Sequence, residues 1–221
     1  MSDDIKINRG LKGVYFERSA ISDIDGTAGK LTYRGYSIHD LATQATFEEV
    51  AHLILLGELP TVAELGAFQG KLAAARVLPT EIFEIIDRIK SGHPMDVLRT
   101  CVSALAALEP SSQDASDRGF LENGIRLTAQ VPMIVAAHHA IRSGRAPVAP
   151  DPALGHAANW LRMLKGENPS VDAAKLADVD MILHAEHGSN ASSFAARVTV
   201  GTEANLHGAI VTALSTRRSR T

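Results

Sequence analysis

Met181-Ile-Leu-His184-Ala-Glu-His187-Gly-Ser-Asn190-Ala-Ser-Ser-Phe-Ala-Ala-Arg197 is where this chain changes character. Elsewhere, apolar residues recur at helical spacing between ordinary start and stop signals. Within residues 184–193 fall two histidines, a glutamate, an asparagine and three serines. A helix running on through Met181-Ile-Leu183 would put His184 and His187 on one face, because residues three apart are neighbours on a helix. Gly188 then suits a reversal of the backbone, and Ser189 or Asn190 can cap a second helix. The stretch reads as helix, turn, helix, with two imidazoles facing the free amides of the second helix. Such a place suits an anion. Two other readings compete. The histidines can be structural groups satisfied by backbone. They can also hold a metal, but an i,i+3 pair needs a third ligand that the sequence does not supply. His-Ala-Glu-His is also one residue short of the His-x-x-Glu-His zinc pattern.

Outward from this stretch the punctuation is helical almost everywhere. Thr46 with Glu49 and Thr61 with Glu64 match the capping box, a hydroxyl followed three residues later by a carboxylate. They open helices at roughly 47–56, stopped by Gly57, and 62–76, stopped near Pro79. Thr80 opens another over about 80–91. Pro94 sits where a first turn tolerates proline, and helix 95–108 follows with a broad apolar stripe. A polar loop spans 109–116. Residues 117–143 read as one long helix or two, with Pro132 forcing a kink or break. Its apolar positions cover most of the circumference over 125–141, which predicts burial on both sides, against a second subunit among the options. After a Pro-rich connector at 144–152 come helices at about 153–164, 171–187, 192–200 and 203–214, the last with Thr202 as its cap. The one β segment lies in residues 11–36. Residues 13–24 and Lys30-Leu-Thr-Tyr-Arg34 flank the turn cluster Asp25-Gly-Thr-Ala-Gly29. A lone hairpin is marginal in water, so it must lie against the helices. The expected fold is all-α, nine or ten helices with a short β hairpin or arm in front.

Composition sets the limits. The 221 residues are 45% hydrophobic and 21% charged, which predicts a soluble domain with a sizeable core. Aromatics at 5% favour close-packed helices over sheets. A net charge of −3 gives no reason to invoke nucleic acid or a membrane surface. The longest uninterrupted apolar stretch, residues 131–137, is far below the ~20 residues of a membrane span. Met-Ser-Asp-Asp-Ile-Lys6 lacks the basic start and apolar core of a signal peptide. Cys101 has no second cysteine to pair with, which suits a reducing cytoplasm.

The central stretch resembles the signature of the citrate synthase and 2-methylcitrate synthase family, usually His-x-Asp-His followed by Asn-Ala-Ser. Glu186 stands where the family has Asp and keeps its charge. Four further segments match in the family's order. They are Gly10-Leu-Lys-Gly13 with Leu31-Thr-Tyr-Arg-Gly-Tyr-Ser-Ile-His-Asp-Leu41, Gly92-His-Pro-Met-Asp-Val-Leu-Arg-Thr100, Ala149-Pro-Asp-Pro-Ala-Leu-Gly-His-Ala-Ala-Asn159, and Met163-Leu-Lys-Gly-Glu167. The resemblance implies a citrate-synthase-like multi-helix domain that pairs as a homodimer. It implies an acyltransferase that condenses acetyl-CoA or propionyl-CoA with oxaloacetate and then hydrolyses the thioester. Acyl-CoA enters as substrate, and no resident cofactor or metal is implied.

The resemblance also assigns residues. His187 matches the histidine that hydrogen-bonds oxaloacetate, and Asn190 and Ser192 match neighbours that shape the same pocket. His184 is expected to be structural. Arg34, His93 and Arg99 lie in matching segments, but capping or solvated roles are as good an account of them. No catalytic residue is assigned, because the family's catalytic His and Asp correspond to sequence beyond residue 214. Residues 1–214 are expected to form the helical large domain. Residues 215–221, with Arg217, Arg218 and Arg220, are expected to be a solvated basic tail rather than a nucleic-acid arm. On this reading the chain is truncated and inactive alone. The alternative is a non-catalytic helical dimerisation module derived from the same fold.

Overall fold

Asp25 closes the first hairpin by accepting from the amides of Thr27 at 3.0 Å and Ala28 at 2.9 Å, and Gly29 completes the turn at φ +63°. The computed structural model describes residues 18–217. Strand β1 (Ser22–Asp25) pairs antiparallel with β2 (Lys30–Tyr33), with Ser22 opposite Tyr33. Strand β3 (Tyr36–Ser37) follows through Arg34 and Gly35. Their φ values of +49° and +90° meet the requirement of a two-residue hairpin for two positive φ angles. The part of the predicted β segment before residue 18 lies outside the described residues.

Ten α-helices follow among the described residues: α1 (Ile38–Gln44), α2 (Phe47–Leu56), α3 (Val62–Ala75), α4 (Thr80–Ile89), α5 (Pro94–Leu108), α6 (Asp117–Arg142), α7 (His156–Lys165), α8 (Val171–Leu183), α9 (Ala191–Val200) and α10 (Leu206–Thr216). Both predicted capping boxes form, at Thr46/Glu49 and Thr61/Glu64, and Gly57 ends α2 in the left-handed region. Pro94 takes the first turn of α5 behind His93, whose ring accepts from the Met95 amide. A short 3-10 turn, Pro110–Gln113, occupies the predicted polar loop.

Of the two readings of residues 117–143 the single helix forms, and the starts of α7 and α10 differ from the sequence reading. Helix α6 runs unbroken through Pro132. Proline there removes one backbone bond, but α6 is buried on opposite faces, so packing holds the chain helical. Ile125 and Ala129 join one apolar cluster with Phe68 and Leu72 of α3. Leu127, Met133, Ile134 and Ala137 join another with Ile82, Ile86, Val97 and Val102. Helix α7 starts at His156 rather than near 153, because Asp151 accepts from the Ala153 amide and its own amide donates to Asn159. Helix α10 is capped by Asn205, not Thr202, because Glu203 adopts φ +62° and interrupts the helical path.

The third cluster positions the site. Tyr33, fully buried, packs with Ile38, Leu41, Val50, Leu53 and Ile182, so the hairpin lies across α1, α2 and the end of α8. The apolar stripe of α5 and the apolar circumference of α6, for which the sequence leaves a second subunit as one option, are largely covered within the chain, with Leu108 and Val135 the large apolar residues still exposed on them. No helix among the described residues is long and apolar enough to cross a membrane.

Candidate functional site

Helix α8, capped by Ser170, ends at Leu183, four residues short of the predicted end. The cause is a side chain about 150 positions away. The Tyr33 hydroxyl donates to the Glu186 carbonyl at 2.8 Å and accepts from the Glu186 amide at 3.3 Å. It also lies 3.1 Å from the Ile182 carbonyl. These contacts draw the backbone off the helical path and satisfy its terminal groups from outside. His184 and His187 therefore do not share a helix face, which corrects the geometry read from their spacing. Burial raises the Tyr33 pKa, the Glu186 backbone bond opposes this, and the Glu186 charge adds to it, so the phenol stays a donor.

Glu186 finishes the turn. Its carboxylate accepts from the Gly188 amide at 2.6 Å and from the Ser22 hydroxyl at 3.1 Å, tying the loop to β1. Gly188 adopts φ +70°, and a Cβ there would stand 3.0 Å from Ile24 Cδ1. Asn190 then caps α9: its side-chain oxygen accepts from the Ser192 and Ser193 amides at 2.9 and 3.1 Å, and Ser193 Oγ accepts from the Asn190 amide. The predicted helix, turn and helix all form, with the first helix shorter.

The singled-out side chains fare differently. His187 is exposed and its imidazole has no partner among the described residues, so both ring nitrogens can meet a ligand. His184 turns back on its own helix, with Nδ1 2.8 Å from the Asp180 carbonyl and 3.4 Å from its carboxylate. Asn190 spends its side-chain oxygen on the cap. Ser192 Oγ accepts from Thr216 Oγ1 at 2.9 Å and Arg217 Nε at 3.1 Å, so the end of α10 rests on the start of α9. The sequence reading did not place Thr216 or Arg217 there. Arg34 donates to the Ile54 carbonyl, and Arg99 pairs with Asp96 and reaches Ser215. With His93 as a cap, these three have local structural partners. No group of three or more His, Cys, Asp or Glu among the described residues is arranged to hold a metal.

The arrangement is an exposed imidazole on a turn held rigid from the hairpin, followed at once by a capped helix start. It offers hydrogen bonds and a positive field to a small anion. It offers no described carboxylate free to act as a base, since Glu186 is spent on the turn.

Comparisons with known proteins show the family of the chain. The family model "Citrate synthase, C-terminal domain" matches residues 10–219. The chain is 44% identical to the citrate synthase of Haloferax volcanii, over 98% of this chain and 58% of that one. It is 40% identical to the 2-methylcitrate synthase of Mycobacterium tuberculosis, over 97% and 54%. The crystal structure of the citrate synthase from Pyrobaculum aerophilum superposes with a TM-score of 0.92 at 36% identity, covering 95% of this chain and 54% of that one. The chain thus spans little more than half the length of the relatives it matches. The helical order, the hairpin laid across α8 and the His-x-Glu-His turn all fall inside the matched region, and the chain belongs to the citrate synthase family.

Proposed function

We propose that this chain carries the oxaloacetate-holding part of a synthase that condenses an acyl-CoA, acetyl or propionyl, with oxaloacetate. The observation that carries the reading is His187. It is the exposed, unpartnered imidazole of a turn whose other polar groups are committed to structure. His187 donates to the ligand's carbonyl or carboxylate oxygen, and Asn190 and Ser192 shape the wall beside it. Both ligands are substrates, and the chemistry asks for no resident cofactor. The buried, unpaired Cys101 thiol, pushed up to about 11 by burial, fits a reducing cytoplasm.

Residues 1–221 alone do not turn over. Condensation needs a base on the acyl carbon, a donor for its enol and an electrophile at the ketone together. The His187 turn supplies one of these, the hydrogen bond to the ketone. Thiol release from acetyl-CoA and from propionyl-CoA, with oxaloacetate present, tests this. The expected rate is background for both. Oxaloacetate-dependent release abolished by His187→Ala would overturn the claim of inactivity.

We also infer a homodimer. The support is an apolar groove of about 670 Å³ between α2, α6 and α10, lined by Leu55, Phe120, Leu127, Val131, Leu206 and Ile210. Light scattering should give twice the 23.5 kDa chain mass, and a stable monomer at micromolar concentration contradicts it.

A further inference from the structure

Arg76, at the end of α3, is 3% exposed. A buried guanidinium is ordinarily paired with a carboxylate. Here no carboxylate oxygen among the described residues lies within 4.0 Å of it. The nearby buried Glu48 is turned elsewhere, its Oε1 accepting from the His156 amide at 2.7 Å. Arg76 Nη1 donates to the Leu154 carbonyl at 2.9 Å, and Nε has no partner. A guanidinium carries five donors in a planar fork that matches a carboxylate, and one of them, the Nε–H, is buried and unused.

Arg76 also lines a cavity of about 230 Å³ whose other lining residues are apolar, among them Leu78, Phe83, Pro147, Val148 and Met163. Leu78 and Met163 are buried core residues and are set in place by their packing. The 147–150 wall is also fixed. Arg162 donates to the Ala149 carbonyl at 2.6 Å, and Arg145, just before the wall, donates to the Leu164 carbonyl at 2.9 Å. Two prolines in four residues restrict it further. The cavity is therefore preformed and apolar, with one polar residue on its wall, the make-up of a small-molecule site on a scale below that of drug-sized ligands.

We propose that this cavity binds a short aliphatic carboxylate, its carboxyl on the Arg76 guanidinium and its chain against Leu78, Phe83 and Met163. At about 30 Å³ per water-sized group, the volume admits roughly seven or eight heavy atoms, the size of a six-carbon acid. Charge sets the choice. An alcohol of equal length keeps the apolar contacts and loses the paired charge. An amine of equal length meets repulsion from Arg76.

The test is a titration of the ¹⁵N-labelled full chain with sodium hexanoate, hexan-1-ol and hexylamine, read by amide chemical shifts. Hexanoate should give saturable shifts at Val77, Leu78, Val148 and Met163, with half-saturation at least tenfold below that of hexan-1-ol, and hexylamine should give none. Arg76→Lys should weaken hexanoate fivefold or more. Because that change also disturbs the Leu154 contact, Ala149→Phe provides a second arm. It leaves Arg76 in place, puts a large ring on an exposed lining residue of the cavity and should abolish the shifts. Absence of saturable shifts, equal binding of hexanoate and hexan-1-ol, or hexanoate binding unchanged in Ala149→Phe would each overturn the proposal.

Discussion

The Tyr33 hydroxyl and the Glu186 backbone form a two-way contact across 153 residues of sequence, donating at 2.8 Å and accepting at 3.3 Å. The hairpin therefore sets where α8 stops and where the His187 turn begins. Tyr33→Phe keeps the ring and removes the hydroxyl, leaving the Glu186 carbonyl without its partner. The expected cost is about 1–2 kcal/mol. In urea unfolding the midpoint should fall, and amide exchange should quicken over residues 184–190 before it does elsewhere. Unchanged stability and unchanged protection would remove Tyr33 from this role.

Gly188→Ala meets two separate obstacles. An L-residue at φ +70° is disfavoured by roughly 1–2 kcal/mol. The new methyl also stands 3.0 Å from Ile24 Cδ1. The second obstacle is removable. Trimming the partner in Gly188→Ala/Ile24→Ala should cost less than the sum of the two single changes, with positive coupling in a double-mutant cycle. Strict additivity would show that Ile24 yields freely and that backbone strain alone requires glycine here.

Acid should weaken the fold through His156. This ring is 1% exposed, stacked on Phe47 with centroids 5.0 Å apart, and its Nδ1 has no partner. Burial first, and the Arg76 charge second, hold its pKa at about 4 against an ordinary 6.5. Between these values the unfolded chain binds the proton and the folded chain does not. The contribution is thus fully present above pH 6.5 and is lost as pH falls toward 4. From pH 7.5 to pH 5 the loss is about 2 kcal/mol. His207, also buried and lowered mainly by burial, acts in the same direction. Urea unfolding at the two pH values should show the drop, and His156→Gln should flatten it. An equal drop in the variant would assign the acid sensitivity elsewhere.

What was legible in the chain was local. Thr46 and Thr61 announce their helices because a hydroxyl and a carboxylate three residues apart satisfy two amides without help. Asn190 and Gly188 are of the same kind, since a cap and a positive φ are demands of the backbone itself. The end of α8 was not legible, because nothing within 171–187 forbids helix there, and the stop comes from Tyr33 in another part of the chain. Reading Lys30–Arg34 as one side of a hairpin does not say which loop the Tyr33 hydroxyl meets. Pro132 left one helix or two open, and burial on two faces of α6 outweighs its local penalty. In the site, the role of Glu186 as a clamp on Gly188 and Ser22, and the rest of Thr216 and Arg217 on Ser192, depend on long-range packing that no spacing encodes.

The central claim is that His187 is the ligand-facing group of an oxaloacetate site. One charge-assisted hydrogen bond contributes about 1.5–3 kcal/mol, and the start of α9 adds roughly 1 kcal/mol. Millimolar affinity needs about 4 kcal/mol before any cost of immobilising the ligand. The direct measurement is a titration of the ¹⁵N-labelled chain with oxaloacetate, followed at the amides of residues 186–193. The account predicts shifts confined to this turn, with half-saturation above about 1 mM, lost in His187→Ala and retained in His184→Ala. Shifts that survive His187→Ala, or that centre away from residues 186–193, would contradict it.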